Sequence, residues 1–471
     1  DVMEFLKEAC PEMMAAPHGK AKSLLPYFED YKFEFGKSTF KGEEVGEGGA
    51  VRAKPGTHYN VALLDIASQH PHSAIAECLF GPEFTRRFRE IVVGRVNIKH
   101  EAWEVVNKML DGALSPYIQK VIAGEMSSGD LADALKTAIN SVYGLTAAKY
   151  PNAFRDPRNV DNIVAKRGAL FMLTLKEEIE KRGFTAAHIK TDSIKIPNAT
   201  PEIIQFVMDF GKRYGYTFEH EATYSRMCLV NDAVYIAKFH TTEWCEKMYG
   251  YIPSKQKKLA GKWTATGTQF AVPYVFKTLF SGEEIEFEDL CETKEVKTAL
   301  YLDMNESLPE SEHDYRFIGK VGSFCPIKND CGGGLLVAER KDKEGNVKYD
   351  SATGAKDFRW LEAEMVKRLG KEDDIDKSYY RKLVDGAVAA ISEYGDFEHF
   401  ISDDAPLEAI GSDVDKACEG IPWTRECGRD TCHGCPFFYR DQFHMECKKG
   451  HDISDIIYEI SEINKNNTNI A

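Results

Sequence analysis

His188-Ile189-Lys190-Thr191-Asp192-Ser193-Ile194-Lys195-Ile196-Pro197 spells two short strands that meet at a polar tip. Ile189, Ile194 and Ile196 are branched at Cβ and favour extended backbone, whereas Thr191-Asp192-Ser193 favours a turn. A carboxylate at such a tip projects from a stiff support, which suits a group that must hold a metal ion still. The stretch also reads as a plain surface turn, so its meaning depends on partners elsewhere in the chain.

Upstream, helical periodicity runs over 160–182 and Gly183 closes it. Further back, Val61-Ala62-Leu63-Leu64 is a continuous apolar run, the pattern of a strand buried on both faces. Asp65 stands at its end, either as a helix N-cap or as a functional acid at a sheet edge. Residues 83–144 read as helical and carry Arg86, Arg87, Arg89, Arg95, Lys99, Lys108 and Lys120. Pro116 and Ser127-Ser128-Gly129-Asp130 divide them into an antiparallel pair, with Asp130 as N-cap of the second helix and Gly144 as its end. Lys136, Asn140 and Tyr143 fall at i, i+4 and i+7 and share one face, beside an apolar stripe of Leu135, Ile139 and Val142. Downstream come a helix at 201–215, strands around 227–238, and a basic patch of Lys255, Lys257, Lys258 and Lys262. A helix and an acidic linker follow around 265–300. After Gly332-Gly333-Gly334, residues 335–340 lead into Lys343-Glu344-Gly345-Asn346, a hairpin turn. Helices are expected at about 358–369 and 377–393.

The 471 residues are 43% hydrophobic and 29% charged, the make-up of a globular protein of two to four domains. Nothing before the first apolar segments resembles a secretory leader, and no run of about 18 apolar residues predicts a membrane helix. The absence of an initiator Met suggests a processed product or a piece of something longer. A net charge of −15 argues against a protein that coats nucleic acid, but permits a basic cleft. Of twelve cysteines, five crowd near the end of the chain, which fits a reducing compartment with one metal site better than a disulfide framework. Cys427-x4-Cys432-x2-Cys435 followed by Cys447 is a four-thiolate spacing suited to Zn²⁺ or a [4Fe–4S] cluster, with Cys418, His433 and His444 as alternative ligands.

Two acids brought together from separate strands are what a two-metal phosphoryl-transfer site needs. The order of Asp65, the Lys136/Asn140/Tyr143 helix and Asp192 resembles that of the family B DNA polymerases. Residues 48–55 leading to Asp65-Ile66-Ala67-Ser68-Gln69-His70-Pro71 are similar to that family's approach to its palm and its motif DxxSLYPS. Lys136-Thr137-Ala138-Ile139-Asn140-Ser141-Val142-Tyr143-Gly144 fills every fixed position of KxxxNSxYG. Thr191-Asp192-Ser193 matches the end of DTDS. The resemblance covers about residues 40–300, is weak beyond them, and is nearest to phage replicative enzymes.

The resemblance implies an α+β right-hand polymerase fold, with an antiparallel-sheet palm and helical fingers and thumb. Its parts would be a linker segment at 1–49, palm at 50–79 and 145–290, fingers at 80–144, a thumb at 291–410 and a Cys-rich tail at 411–471. Asp65 and Asp192 would hold two Mg²⁺ ions. Lys136 would contact the incoming triphosphate, Asn140 would support that pocket, and Tyr143 would pack near the nascent base pair. Amides around Ser68 and Gln69 would hold phosphate oxygens, and His70 would stand where the family has a sugar-excluding Tyr. Implied partners are primer–template DNA, dNTPs, a separate exonuclease domain or chain and other replisome proteins, in the cytoplasm (that of the host for a phage enzyme) and without a membrane. Lys190 replaces the first acid of DTDS, and 230–235 replaces a usually basic stretch. Primer contacts would therefore shift to Lys238, Lys257 and Lys258, which otherwise read as a solvated loop. The alternatives are a non-catalytic DNA-binding or assembly subunit and an enzyme that uses ribonucleotides or an RNA template.

Overall fold

The computed structural model describes residues 24, 28–34, 37–45, 49–80, 82–99, 101–146, 148, 150, 162–342, 344–402, 446–447 and 451–452. Cys427, Cys432 and Cys435 lie outside the described residues, and of Cys447 only the backbone is described, in the two-residue strand Glu446–Cys447. The chain forms two compact units, one of residues 1–232 and 238–261 and one of 233–237 and 262–471. The last crossing between the units falls after Gly261, and 80–144 lie in the same unit as the strands on either side.

The first unit opens with a small antiparallel meander of β1 (Tyr31–Glu34), β2 (Lys37–Phe40) and β3 (Glu43–Glu44). Its main sheet is built from β4 (Val51–Ala53), β5 (Gly56–Ile66), β6 (His188–Lys190), β7 (Ser193–Ile196) and β8 (Phe218–Asn231). These five run in the spatial order β8-β5-β7-β6-β4, every pair antiparallel. Register decides what each face carries. Leu63 pairs with Lys195 and Asp65 with Ser193, while His188 pairs with Lys195 and Lys190 with Ser193. Strand side chains alternate, so Asp65, Ser193, Lys195, His188 and Lys190 share one face. The other face holds Ala62, Leu64, Ile66, Ile189, Ile194 and Ile196, none more than 1% exposed. Val61 is buried on the face it shares with half-buried Leu63, so the 61–64 run is buried on both faces as its apolarity suggests, except at Leu63.

The helices of this unit are α1 (Gln69–Ala76), α2 (Pro82–Lys99), α3 (Ser115–Ile122), α4 (Ser128–Thr146), α5 (Ile163–Glu180), α6 (Pro201–Arg213), α7 (Thr242–Tyr249) and α8 (Gln256–Leu259). α5 and α6 contribute Leu170, Phe171, Leu175, Ile203, Val207 and Phe210 to the core that the sheet also enters. Thr200 caps α6 by accepting from the Ile203 amide, and Pro201 follows where its missing N–H costs nothing. α2 packs along α4, and a separate small core of Ile98, Val106, Leu114, Ile118, Leu131 and Ala132 fills the helical region. The cap of α4 differs from expectation. The Asp130 amide donates to Ser127 Oγ and the Ser127 amide to Asp130 Oδ2, both at 3.0 Å, so Ser127 is the N-cap and Asp130 completes a reciprocal box. The helix also runs two residues past Gly144, to Thr146.

β9 (Val234–Phe239) straddles the division, and β10 (Trp263–Thr266) opens the long second segment of unit two. That unit is centred on an antiparallel sheet of β11 (Glu292–Asp303), β12 (Tyr315–Ile327), β13 (Leu335–Lys341), β14 (Val347–Ser351) and β15 (Arg359–Glu362), ordered β14-β13-β11-β12-β15. The helical thumb expected at 291–410 is therefore a sheet through residue 362, because Leu300, Leu302, Leu336 and Ala338 bury alternate positions rather than a helical stripe. Helices α9 (Ala363–Arg368) and α10 (Lys377–Ser392) follow, and Trp360, Tyr379 and Tyr380 close this core. The α+β class holds, with helices set against antiparallel sheets. No described helix is long and apolar enough to cross a membrane.

Candidate active site

The tip of the β6–β7 hairpin is where the local chain is most constrained. Thr191 adopts φ +57°, a left-handed conformation that a β-branched residue rarely takes. It is held from three sides. Its amide donates to Ala50 O at 2.9 Å, Gln69 Nε2 donates to its carbonyl at 3.0 Å, and the next residue's carbonyl, Asp192 O, accepts from the Ile66 amide at 2.8 Å. Gly49 lies so close that an added Cβ would stand 2.6 Å from Thr191 Cγ2. Gln69 is itself 2% exposed and braced by α5, where a Cβ on Gly168 would meet its carboxamide at 2.7 Å. Below it the buried ion pair Arg167–Glu77, at 3.0 Å, ties α5 to the C-terminal end of α1.

These contacts place Asp65, the penultimate residue of β5, beside Asp192 in the adjoining turn. Asp65 caps no helix. Burial, then Asp192 and Glu221, push its carboxyl up to about 7, with Lys255 opposing. Burial likewise raises Asp192, where Glu221 adds to the effect and its own backbone, His70 and Lys195 oppose it. The third acid, Glu221, comes from β8 and takes part in an ion pair with Lys255, whose amide also donates to Glu221 O at 2.8 Å. Charge on Asp65 and on Asp192 is thus disfavoured in a half-buried setting, with Glu221 adding to both effects.

α1 starts three residues after Ile66. Ser68, at φ +57°, precedes it and makes no side-chain cap, while its carbonyl accepts from His72 N and His72 Nδ1, both at 3.0 Å. Pro71 has no N–H and the His72 amide is bonded to Ser68 O, so the amides of Ser68, Gln69 and His70 are the donors this helix start can offer to an anion. His70 stacks on Tyr143 of α4, with centroids 4.6 Å apart and planes 20° off parallel. Burial depresses the His70 imidazole, Asp192 opposes that, and its Nδ1 finds no partner among the described residues. Tyr143 Oη donates to Asn162 Oδ1 at 3.2 Å, fixing the ring.

The structure therefore gathers Asp65, Ser68, Gln69, His70, Tyr143 and Asp192 into one place. Lys136 and Asn140 share the face of α4 expected for them, are exposed, and lie two turns and one turn before Tyr143, respectively. Lys257 and Lys258 are exposed on α8, which is anchored by buried Gln256 through bonds with Thr223 N, Thr223 O and His240 O. Lys238 is half-buried in β9.

No family model matches the chain, and no curated protein matches it. Among solved structures it is similar to the family B DNA polymerase from the hyperthermophilic archaeon Pyrobaculum calidifontis, with a TM-score of 0.37 and 12% identity over 75% of this chain. The chain spans about half of that polymerase, 49% of its length.

The donors at hand are hard carboxylate oxygens. Among the described residues no three His, Cys, Asp or Glu side chains form a closed metal cage. Mg²⁺ is commonly held by one or two carboxylates plus substrate phosphates and water, so a carboxylate pair beside an anion-accepting helix start fits it. Mutual repulsion among the acids gives a divalent cation something to relieve.

Sequence reasoning missed Glu221, Lys195 and His188. Lys195 had a signal, the polar–apolar alternation Ser193-Ile194-Lys195-Ile196, which puts it on the face of Asp65's partner Ser193. Glu221 had none, because β8 is irregular where it passes β5 at Leu63 and Leu64.

Proposed function

We propose that this chain is the core of a template-directed DNA polymerase that adds dNTPs to a primer 3′-hydroxyl by two-metal phosphoryl transfer. The observation that carries the proposal is the β5–β7 register with the His70–Tyr143 stack, which joins three sequence-distant segments around one carboxylate pair. Asp65 and Asp192 would hold Mg²⁺. When bound, the metal would activate the attacking oxygen and stabilise the leaving one. The Gln69 and His70 amides would bind phosphate oxygens at the start of α1. Lys136 would neutralise the triphosphate and Asn140 would support its pocket, both reaching from α4 as a mobile side chain and a short amide can. The stacked pair His70 and Tyr143 would form a wall for the sugar and the nascent base pair, with His70 excluding a 2′-hydroxyl.

DNA would lie along Lys238, Lys257 and Lys258, making affinity salt-dependent despite the negative total charge. The tail cysteines Cys427, Cys432, Cys435 and Cys447 are a proposed Zn²⁺ or [4Fe–4S] site, and an absorbance band near about 400 nm would select the cluster. The deciding experiment is primer extension by Asp192→Ala. Expected is retained primer–template binding with extension lowered at least about 1,000-fold, the scale of losing charge stabilisation at a reacting phosphate. Extension at the parent rate would sink the proposal.

A further inference from the structure

Lys195 is a lysine on the acid-bearing face of the main sheet, yet it is only 4% exposed. Its ammonium donates to His188 Nδ1 at 3.1 Å, directly across the β6–β7 pair. His188 is 1% exposed, and its Nε2 lies 3.1 Å from Asp232 O. A carbonyl only accepts, so Nε2 carries the proton and Nδ1 keeps its lone pair for the ammonium. Burial, then the Lys195 charge, depress His188 to about 4, which keeps the ring in this neutral form. The ammonium is thus aimed and fixed from behind by a two-bond chain.

In front of it stand the acids. Burial, then Lys190, lower the Lys195 ammonium to about 8, while Asp65, Asp192 and Glu221 each oppose that and favour its charged form. Lys190 lies on the same face but is exposed, so water screens it. We infer that Lys195 is a resident counter-ion of the carboxylate cluster, a positioning residue that offsets part of the acids' charge and thereby limits how tightly they hold divalent metal. A buried, fixed charge acts through low dielectric and is felt strongly, whereas a solvated one is not. The benefit is an acid cluster that tolerates the metal-free state and releases metal between turnovers.

This inference rests on the metal-binding role proposed above. The test is titration of the full chain at pH 7, where the Lys195 ammonium is mostly charged, with Mn²⁺ alone and free ion read by electron paramagnetic resonance. The parent protein should bind Mn²⁺ in a manner that Asp192→Ala removes. Lys195→Met, which keeps the length and apolar stem of the side chain, should bind roughly 5- to 20-fold more tightly, and Lys195→Arg should restore parent affinity. Lys190→Met should change affinity less than about twofold, since its charge is screened. A merely structural role for Lys195 predicts the opposite sign, because a loosened hairpin would hold metal less well. Should Lys195→Met lose its near-ultraviolet dichroism, Lys195→Gln carries the same expectation. Unchanged or weakened binding in a folded charge-removing variant overturns the inference alone. Absence of any Asp192-dependent Mn²⁺ binding in the parent overturns it together with the metal-binding role.

Discussion

Asp65 keeps its proton to about pH 7 because burial, Asp192 and Glu221 all work against the carboxylate. Its ordinary value is 3.8, so between these two values the native state holds more proton than the unfolded chain. Stability therefore falls as pH rises through that window and stays lowered above it. Partial exposure reduces the cost to about 1–2 kcal/mol at pH 8 without metal. Asp65→Asn should then melt about 2–6 °C higher than the parent at pH 8 in EDTA, while losing extension and the upward shift that Mg²⁺ gives the parent. Thermal melts with and without Mg²⁺ check this, and a variant that melts lower in EDTA would show that the acids do not repel. At the opposite wall of the site, His70→Ala removes the ring that covers Tyr143. Ribonucleotide incorporation should rise about tenfold or more relative to deoxynucleotide in single-nucleotide assays, a gap of the size that steric exclusion supplies. Unchanged discrimination would remove His70 from that role. Asp65, Asp192 and Tyr143 were legible in the sequence because each sits at a punctuated position, a strand end, a turn or a helix face. Glu221 was not, because its place depends on a register irregularity that no local pattern announces.

The β6–β7 hairpin works as an element only because neighbouring backbone crowds its tip. Gly49 has no room for a Cβ against Thr191. Gly49→Ala should push the turn away from β5, costing about 1–3 kcal/mol of stability as overpacking does, and lower extension about 100-fold through displaced Asp192. Thr191→Gly removes the clashing methyl and relieves the left-handed φ, so the double variant should recover part of both losses. A double-mutant cycle in denaturant melts and extension rates measures the coupling, and strict additivity would show that the two residues do not press on each other. The hairpin itself was readable from its three isoleucines and its polar turn. Its crowding was not, since Gly48-Gly49 looks from sequence like a flexible joint. The cap of α4 shows a smaller slip of the same kind: Ser127 and Asp130 satisfy each other reciprocally, so choosing one as the cap from sequence is close to arbitrary. Of the sheet of unit two the sequence showed only the β13–β14 hairpin; the rest was hidden because the family pattern expects helices there and the alternation of β11 is broken by irregular register between Glu295 and Tyr301.

At the scale of the whole chain, the two largest hydrophobic cores among the described residues share no residue. One gathers Ile66, Phe171, Ile194 and Val207, the other Leu300, Phe324, Leu336 and Trp360. Every residue of the candidate site belongs to the first unit, although the chain passes between units at 232–233, 237–238 and 261–262. Separate cores predict that heating melts the protein in more than one step. A ligand that binds only one native unit raises only that unit's transition, by RT ln(1 + [L]/Kd), or about 2.7 kcal/mol at 100 times Kd. Mg²⁺ should therefore raise a single transition, and Asp192→Ala should abolish that rise. The other transition has its own handle. Trp360 is fully buried and its Nε1 donates to Ala355 O at 2.9 Å, so Trp360→Ala removes a large core side chain. The expected loss is about 3–5 kcal/mol, confined to the transition that does not respond to Mg²⁺. Scanning calorimetry on the parent, Asp192→Ala and Trp360→Ala, each with and without Mg²⁺, separates the cases. A single transition that moves as one under both perturbations would mean that the two cores unfold as one cooperative body, and that metal at Asp65 and Asp192 stabilises the second core as strongly as the first.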